Sequence, residues 1–194
     1  MTFRFLHAAD IHLDSQLRGL DRYEGAPVDE IRSATRRALS ALVDLAIRKE
    51  VAFVIIAGDV YDGDWQDFNT GLYFVREMSR LQTAGIAVVM ISGNHDAANR
   101  MTKSLELPEN VSSLPTDRPQ TVLGKDMAGN LQGLDIAFHG QGFQTAAIDE
   151  NVVLHYPPAV PGVFNIGVLH TSLDMEAGGE HARYAPCSVG DLLG

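Results

Sequence analysis

The chain has a single cysteine, Cys187, so no internal disulfide can form. That excludes a small secreted scaffold held by crosslinks and points to a reducing compartment. No apolar run approaches the ~20 residues that span a bilayer. The first residues, Met1 to Leu6, reach Asp10 before the apolar core of a signal peptide could form. Together these absences lead us to expect a soluble cytoplasmic protein. Basic residues are also scarce: 15 Lys and Arg stand against 25 Asp and Glu, for a formal net charge of -10. This argues against tight nucleic-acid binding through a broad basic face. A phosphate substrate is not excluded, because divalent metal would reverse the local sign of a carboxylate-rich site. The sequence has no repeat, low-complexity tract or obvious interdomain linker.

What is present is a chain of 194 residues, 45% of them hydrophobic, enough for one domain with a sizeable core. Its anchor is Phe53-Val54-Ile55-Ile56-Ala57, a continuous apolar run rich in β-branched residues. Such a run reads as a strand covered on both faces. It stops at Gly58, which permits a tight turn, and Asp59 follows at the strand's carboxyl end, where open α/β sheets place ligands. Asp62 comes soon after. Taken alone, Gly-Asp after a strand is ordinary turn chemistry.

The flanking sequence repeats this plan. Residues 3–9 read as a first buried strand ending in Asp10-Ile11-His12. Asp and His two apart on an extended segment point the same way and could share a metal. His7 reads as a packed core histidine. Residues 13–27 are loop-like, and a helix follows whose apolar stripe is Ile31, Ala34, Ala38, Leu42, Leu45 and Ala46, with Arg32, Arg36 and Arg37 on a solvated face. After Trp65-Gln66-Asp67 a second helix carries Phe68, Leu72, Val75, Met78 and Leu81, and Gly85 ends it. Residues 86–91 form another buried strand, running into Ser92-Gly93-Asn94-His95-Asp96. This order implies crossover connections and parallel strands. Residues 97–118 look irregular or partly helical. Gly124 to Gly133 has hairpin-like turn chemistry around Gly129-Asn130. Strands are expected at 134–138, at 163–169 before His170, and weakly at 152–154. Packing is the expected role of His139, and surface positions are expected for His155 and His181. Ser188-Val189-Gly190-Asp191 reads as a capping box.

Four strand ends thus carry Asp-x-His, Gly-Asp-x-x-Asp, Gly-Asn-His-Asp and a last His. Mixed Asp, Asn and His donors suit divalent first-row ions such as Mn2+ better than a thiolate-bound zinc. One shared carboxylate can hold two ions about 3.5–4 Å apart, an arrangement suited to in-line displacement at phosphorus.

In this combination the motifs resemble the calcineurin-like metallophosphoesterases. The resemblance implies an α/β fold of two mixed β-sheets flanked by helices in α-β-β-α layers, extending over residues 1–194. It implies that Asp10, His12 and Asp59 hold one metal ion and that Asp59, Asn94 and His170 hold the second. It implies a catalytic role for His95 beside the leaving oxygen, with Asp62 orienting it. Within the family, Asp10-Ile-His-Leu-Asp14, Gly58-Asp-Val-Tyr-Asp62, Gly93-Asn-His-Asp96 and Leu169-His-Thr171 look most like the SbcD-type DNA-repair exonucleases. That branch implies DNA as substrate, an SMC-like ATPase as partner and two divalent ions, Mn2+ foremost, and it is compatible with a homodimer. One departure stands out. The family's closing Gly-His-x-His motif, which supplies a ligand to each metal, does not occur here, and His181-Ala182-Arg183 is no match. The domain therefore reads as incomplete at its C-terminus. Two other functions stay open: a phosphoesterase acting on a nucleotide or other small phosphodiester, and a non-catalytic domain that docks a partner.

Overall fold

A computed structural model describes residues 2–15, 28–62, 68–98, 105–131, 133–173 and 184–193. Trp65 to Asp67, His181, the side chains of Ile31 and Arg32, and most of the 13–27 loop lie outside the described residues. Four parallel strands form the first sheet, in the order β1 (Phe5–Ala8), β2 (Phe53–Ala57), β3 (Ala87–Ile91) and β4 (Val111–Ser113). Both β2 and β3 are buried at every position, as their unbroken apolar runs require. The expectation for β1 needs correction. It is an edge strand, with Phe5 42% exposed and His7 open to solvent rather than packed in a core. A further strand, β4, went unrecognised because Val-Ser-Ser is short and polar. Beside it the amide of Asn110 reaches across to the carbonyls of Ile86 and Met78, at 2.9 and 3.3 Å.

Helices α1 (Val28–Arg48) and α2 (Phe68–Thr83) cover one face of this sheet. Ala46 of α1 and Met78 and Leu81 of α2 are buried as the sequence suggests, but other residues of each stripe are turned outward. On α1 the buried residues are Leu39, Val43 and Ala46, while Ala34 and Ala38 face outward. On α2 they are Phe74, Met78 and Leu81, while Phe68 and Leu72 are 47% and 50% exposed. Each helix carries apolar residues on more than one line. The line that packs is the one that meets Val54, Ile56, Val88 and Met90 of the sheet. Glu77 also falls on the buried side, where Arg80 holds it at 2.6 Å, and Arg80 in turn grips Asp44 of α1.

The second sheet is mixed: β5 (Gln120–Leu123) runs antiparallel to β6 (Ile136–Gly140), which pairs in parallel with β7 (Phe164–Val168). It packs on the free face of the first sheet, with Phe53, Ile55, Ala57 and Val89 meeting Ile136, Phe138 and Val168. The layers therefore run helix, parallel sheet, mixed sheet. The strand expected at 134–138 begins later, so His139 lies inside β6. Its ring bridges Thr121 and Asn165 at 2.8 Å each, a packing role. The segment Val152–His155 is a single 3-10 turn capped by Asn151, not a strand. A 3-10 turn at Gly124–Asp126 and two short helices complete the described elements: α3 (Asn94–Ala98) and α4 (Val189–Leu193), the latter opened by the Ser188–Asp191 capping box. No described helix is long and apolar enough to cross a membrane.

Candidate metal centre

Parallel pairing places the carboxyl ends of β1, β2 and β3 along one edge, and β7 delivers His170 to the same place from the second sheet. The loop after β1 runs beside the loop after β2. Asp10 N–H donates to Gly58 O at 3.1 Å, His12 N–H to Asp59 O at 3.0 Å and Leu13 N–H to Val60 O at 2.8 Å. Asp10, His12 and Asp59 all have positive φ, of 52°, 44° and 53°. Left-handed backbone at non-glycine residues costs on the order of 1–3 kcal/mol each and gathers at functional sites. So Asp10 and His12 do reach one side, but through left-handed turns and not by the alternation of an extended strand.

The side chains converge on a pocket of about 400 Å3 that holds Asp10, His12, Asp59, Asn94, His95 and His170. Asp59, only 3% exposed, lies between two imidazoles: its Oδ2 is 3.9 Å from His12 Nε2 and 3.4 Å from His170 Nε2. Its Oδ1 accepts the backbone N–H of His95 at 2.9 Å. His12 Nε2 is also 4.0 Å from Asp10 Oδ1. His170 Nδ1 meets the carbonyl of Ala57 at 2.9 Å, and its Nε2 lies 3.1 Å from Asn94 Oδ1. A ring held through Nδ1–H on a backbone carbonyl presents its Nε2 lone pair, the usual arrangement of a metal-ligating histidine. Once that nitrogen gives up its proton, its lone pair, Asp59 Oδ2 and Asn94 Oδ1 are three acceptors facing one another, so the donor set fits a divalent cation. Among the described residues, two groups place their ligand atoms within reach of one ion: Asp10, Asp59 and His170, and His12, Asp62 and His95.

Asp62 stands behind His95, its Oδ1 2.9 Å from His95 Nδ1. Ser15 Oγ–H donates to the other oxygen of Asp62 at 2.6 Å. The ring of His12 stands edge-on to that of His95, and Phe143 stands edge-on to His170. The loop bearing Asp10 and His12 is fixed from outside by Asp14. Arg36 forks onto its carboxylate, Thr70 donates to it, and its own N–H reaches Thr35. Arg36 is thus a structural anchor and not part of a solvated face. Ser15 and Phe143 carried no signal in the sequence, since each acts only through a partner 47 or 27 residues away.

Charges follow this geometry. Burial works against the Asp59 carboxylate, but the hydrogen bond and charge of His170, with the His95 N–H, hold its pKa below the usual range. Burial likewise works against the His170 imidazolium, yet Asp59 outweighs it and the pKa of His170 rises above its ordinary value. Without an ion, the pairing favours a proton on His170 opposite the ionised Asp59. A metal must displace that proton, so divalent affinity should fall as pH drops through the raised His170 pKa and level off above it. Calorimetry across pH, with proton release measured, checks this; a flat profile would contradict it.

The sequence model of the calcineurin-like phosphoesterases matches residues 3–162. The chain belongs to the calcineurin-like phosphoesterase family. Members work with divalent metal ions, and the pocket offers residues suited to hold them. Among relatives of this phosphoesterase is the uncharacterized metallophosphoesterase YhaO of Bacillus subtilis, 31% identical over 193 residues, or 97% of this chain and 45% of YhaO. The DNA double-strand break repair protein Mre11 of Sulfurisphaera tokodaii is 31% identical over 51% of this chain and 24% of its own length. A subunit of the nuclease SbcCD from Rhodobacter capsulatus is 34% identical over 56% of this chain and 24% of its own. The phosphoesterase chain spans less than half the length of these relatives. A dimetal phosphatase from Danio rerio is similar to it over 72% of this chain and 43% of that one, with a TM-score of 0.43 and 16% identity.

Proposed function

We propose that this phosphoesterase hydrolyses phosphodiester bonds of DNA as a metal-dependent exonuclease, with Mn2+ as its ion and an SMC-like ATPase as its partner in the cytoplasm. The observation that carries the reading is the convergence of Asp10, His12, Asp59, Asn94 and His170 on one pocket beside an imidazole backed by a carboxylate. The names of two relatives, one a DNA double-strand break repair protein and one a nuclease subunit, support DNA as the substrate. In this reading Asp10, His12 and Asp59 hold one ion, and Asp59, Asn94 and His170 hold the other. Bound divalent ions supply Lewis-acid stabilisation of charge at phosphorus and a water nucleophile at neutral pH.

The protein's own groups do the rest. Asp62 fixes the His95 ring through Nδ1, which leaves Nε2 to carry the proton given to the departing oxygen. Ser15 holds Asp62 in turn, so the imidazole has little freedom to swing away. Asp62→Asn should lower kcat by about 10–100-fold, the usual cost of losing a supporting partner, with metal stoichiometry unchanged. Equal kcat would remove Asp62 from the mechanism.

A second reading, hydrolysis of a small phosphodiester, is favoured by the net charge of -10. Assays with Mn2+ on linear double-stranded DNA and on bis-p-nitrophenyl phosphate separate the two. DNA degraded from its ends supports the nuclease; cleavage of the small diester alone transfers the function to small substrates.

A further inference from the structure

Asp96 sits at the joint of the site without facing the pocket. Its side chain leaves α3, the short helix that opens with Asn94 and carries His95, and it is 6% exposed. Three backbone amides donate to it. Gly93 N–H and Val60 N–H reach Oδ2 at 2.9 and 3.2 Å, and Tyr61 N–H reaches Oδ1 at 2.9 Å. Gly93 immediately precedes Asn94, and Val60 and Tyr61 immediately follow Asp59. One carboxylate is therefore bonded to two of the three loops that present the inferred ligands of the second ion, those of Asp59 and Asn94.

We propose that Asp96 is a positioning residue that sets the separation between Asp59 and Asn94, and with it the spacing of the two metal ions. The inference rests on the two-ion reading of the pocket. A helix-capping role accounts for the bond to Gly93 alone. It does not account for the two bonds to the β2 loop, which span 36 and 35 positions in the chain. The left-handed turn at Asp59, φ 53°, aims the next two N–H groups at the two oxygens of one carboxylate. With both carboxylate oxygens engaged, the side chain cannot rotate without releasing one loop. A carboxylate buried near Asp59 is unfavourable unless donors satisfy it, and here the donors are the amides that need fixing. Pre-organised support of this kind is what holds ligand geometry before an ion arrives.

Two measurements test this. In metal-free wild-type protein, hydrogen exchange followed by NMR should show the amides of Val60, Tyr61 and Gly93 protected as a set, before any ion is added. Protection that appears only on Mn2+ addition would mean that the ion, and not Asp96, sets the spacing, and would overturn the proposal. The second uses Asp96→Asn, which keeps the shape but turns one acceptor into a donor. In folded variant, verified by circular dichroism below its melting temperature, Mn2+ affinity should fall by about 10–100-fold, and kcat on bis-p-nitrophenyl phosphate should fall more than KM rises. Wild-type affinity for both ions in the folded variant would refute the role of Asp96 while leaving the two-ion site standing. Wild-type protein that takes up no pair of ions would refute the two-ion site itself and the proposal with it.

Discussion

Asp59→Asn is expected to lose tight binding of both ions, together with hydrolysis, while the metal-free protein stays folded. Asp59 lies between His12 and His170, at 3.9 and 3.4 Å, so its loss subtracts from both sites at once. Asparagine retains a single oxygen. If that oxygen keeps the His95 N–H now held at 2.9 Å, an NH2 group points at the two histidines, where a cation would sit. If the amide flips, two N–H donors face each other. The loss of metal affinity should therefore exceed the ~100-fold that removal of a supporting residue can cost. Folding should suffer less, because asparagine keeps the side chain's shape, can retain the His95 N–H bond and tolerates the left-handed φ of 53°, although the pairing with His170 is lost. Calorimetric titration with Mn2+ and thermal unfolding in chelator check the two halves. Unchanged two-ion stoichiometry in Asp59→Asn would show that Asp59 is not shared.

Gly93→Ala should damage both stability and the site. A Cβ there would lie 2.1 Å from Asp59 Oδ1 and 2.6 Å from Asp59 N. The second atom is backbone and cannot swing aside, so the β2 and β3 loops must separate. Overpacking of this kind costs about 1–3 kcal/mol, sometimes more. In a domain of this size each kcal/mol lowers Tm by roughly 2–4 °C. The same shift moves Asp59, and a misplacement of about 1 Å can cost on the order of 100-fold in rate. Differential scanning calorimetry and Mn2+ titration report the two effects separately. Gly167→Ala, where nothing lies within 4 Å of the added Cβ, is the matched control and should change neither. Wild-type Tm and affinity in Gly93→Ala would show that the loops are not in this close contact.

Much of this was legible in the sequence, and the reason is local. A strand buried on both faces must be apolar throughout, so Phe53 to Ala57 and Ala87 to Ile91 announce themselves, and polar residues at their ends announce a site. The pocket gathers Asp10, His12, Asp59, Asn94, His95 and His170 from motifs far apart in the chain because parallel pairing aligns the strand ends. What stayed hidden depends on contacts between distant segments. On α2 the sequence marks Met78 and Leu81, but that Phe74 joins them while Phe68 and Leu72 stay exposed depends on what the sheet offers. His7 looked internal because β1 reads like a central strand, whereas edge position is a property of the sheet. Asp96 was visible inside Gly-Asn-His-Asp, but its purpose appears only when Val60 and Tyr61 are seen to donate to it.

The central claim is that Asp59 joins two divalent ions in one site. Electron paramagnetic resonance of the protein loaded with two equivalents of Mn2+ tests it most directly. Ions about 3.5–4 Å apart across a shared carboxylate are spin-coupled. The account predicts a multiline spectrum from a coupled pair, replaced in Asp59→Asn by the signal of isolated ions. A wild-type spectrum of isolated Mn2+ alone, at full loading, would contradict it.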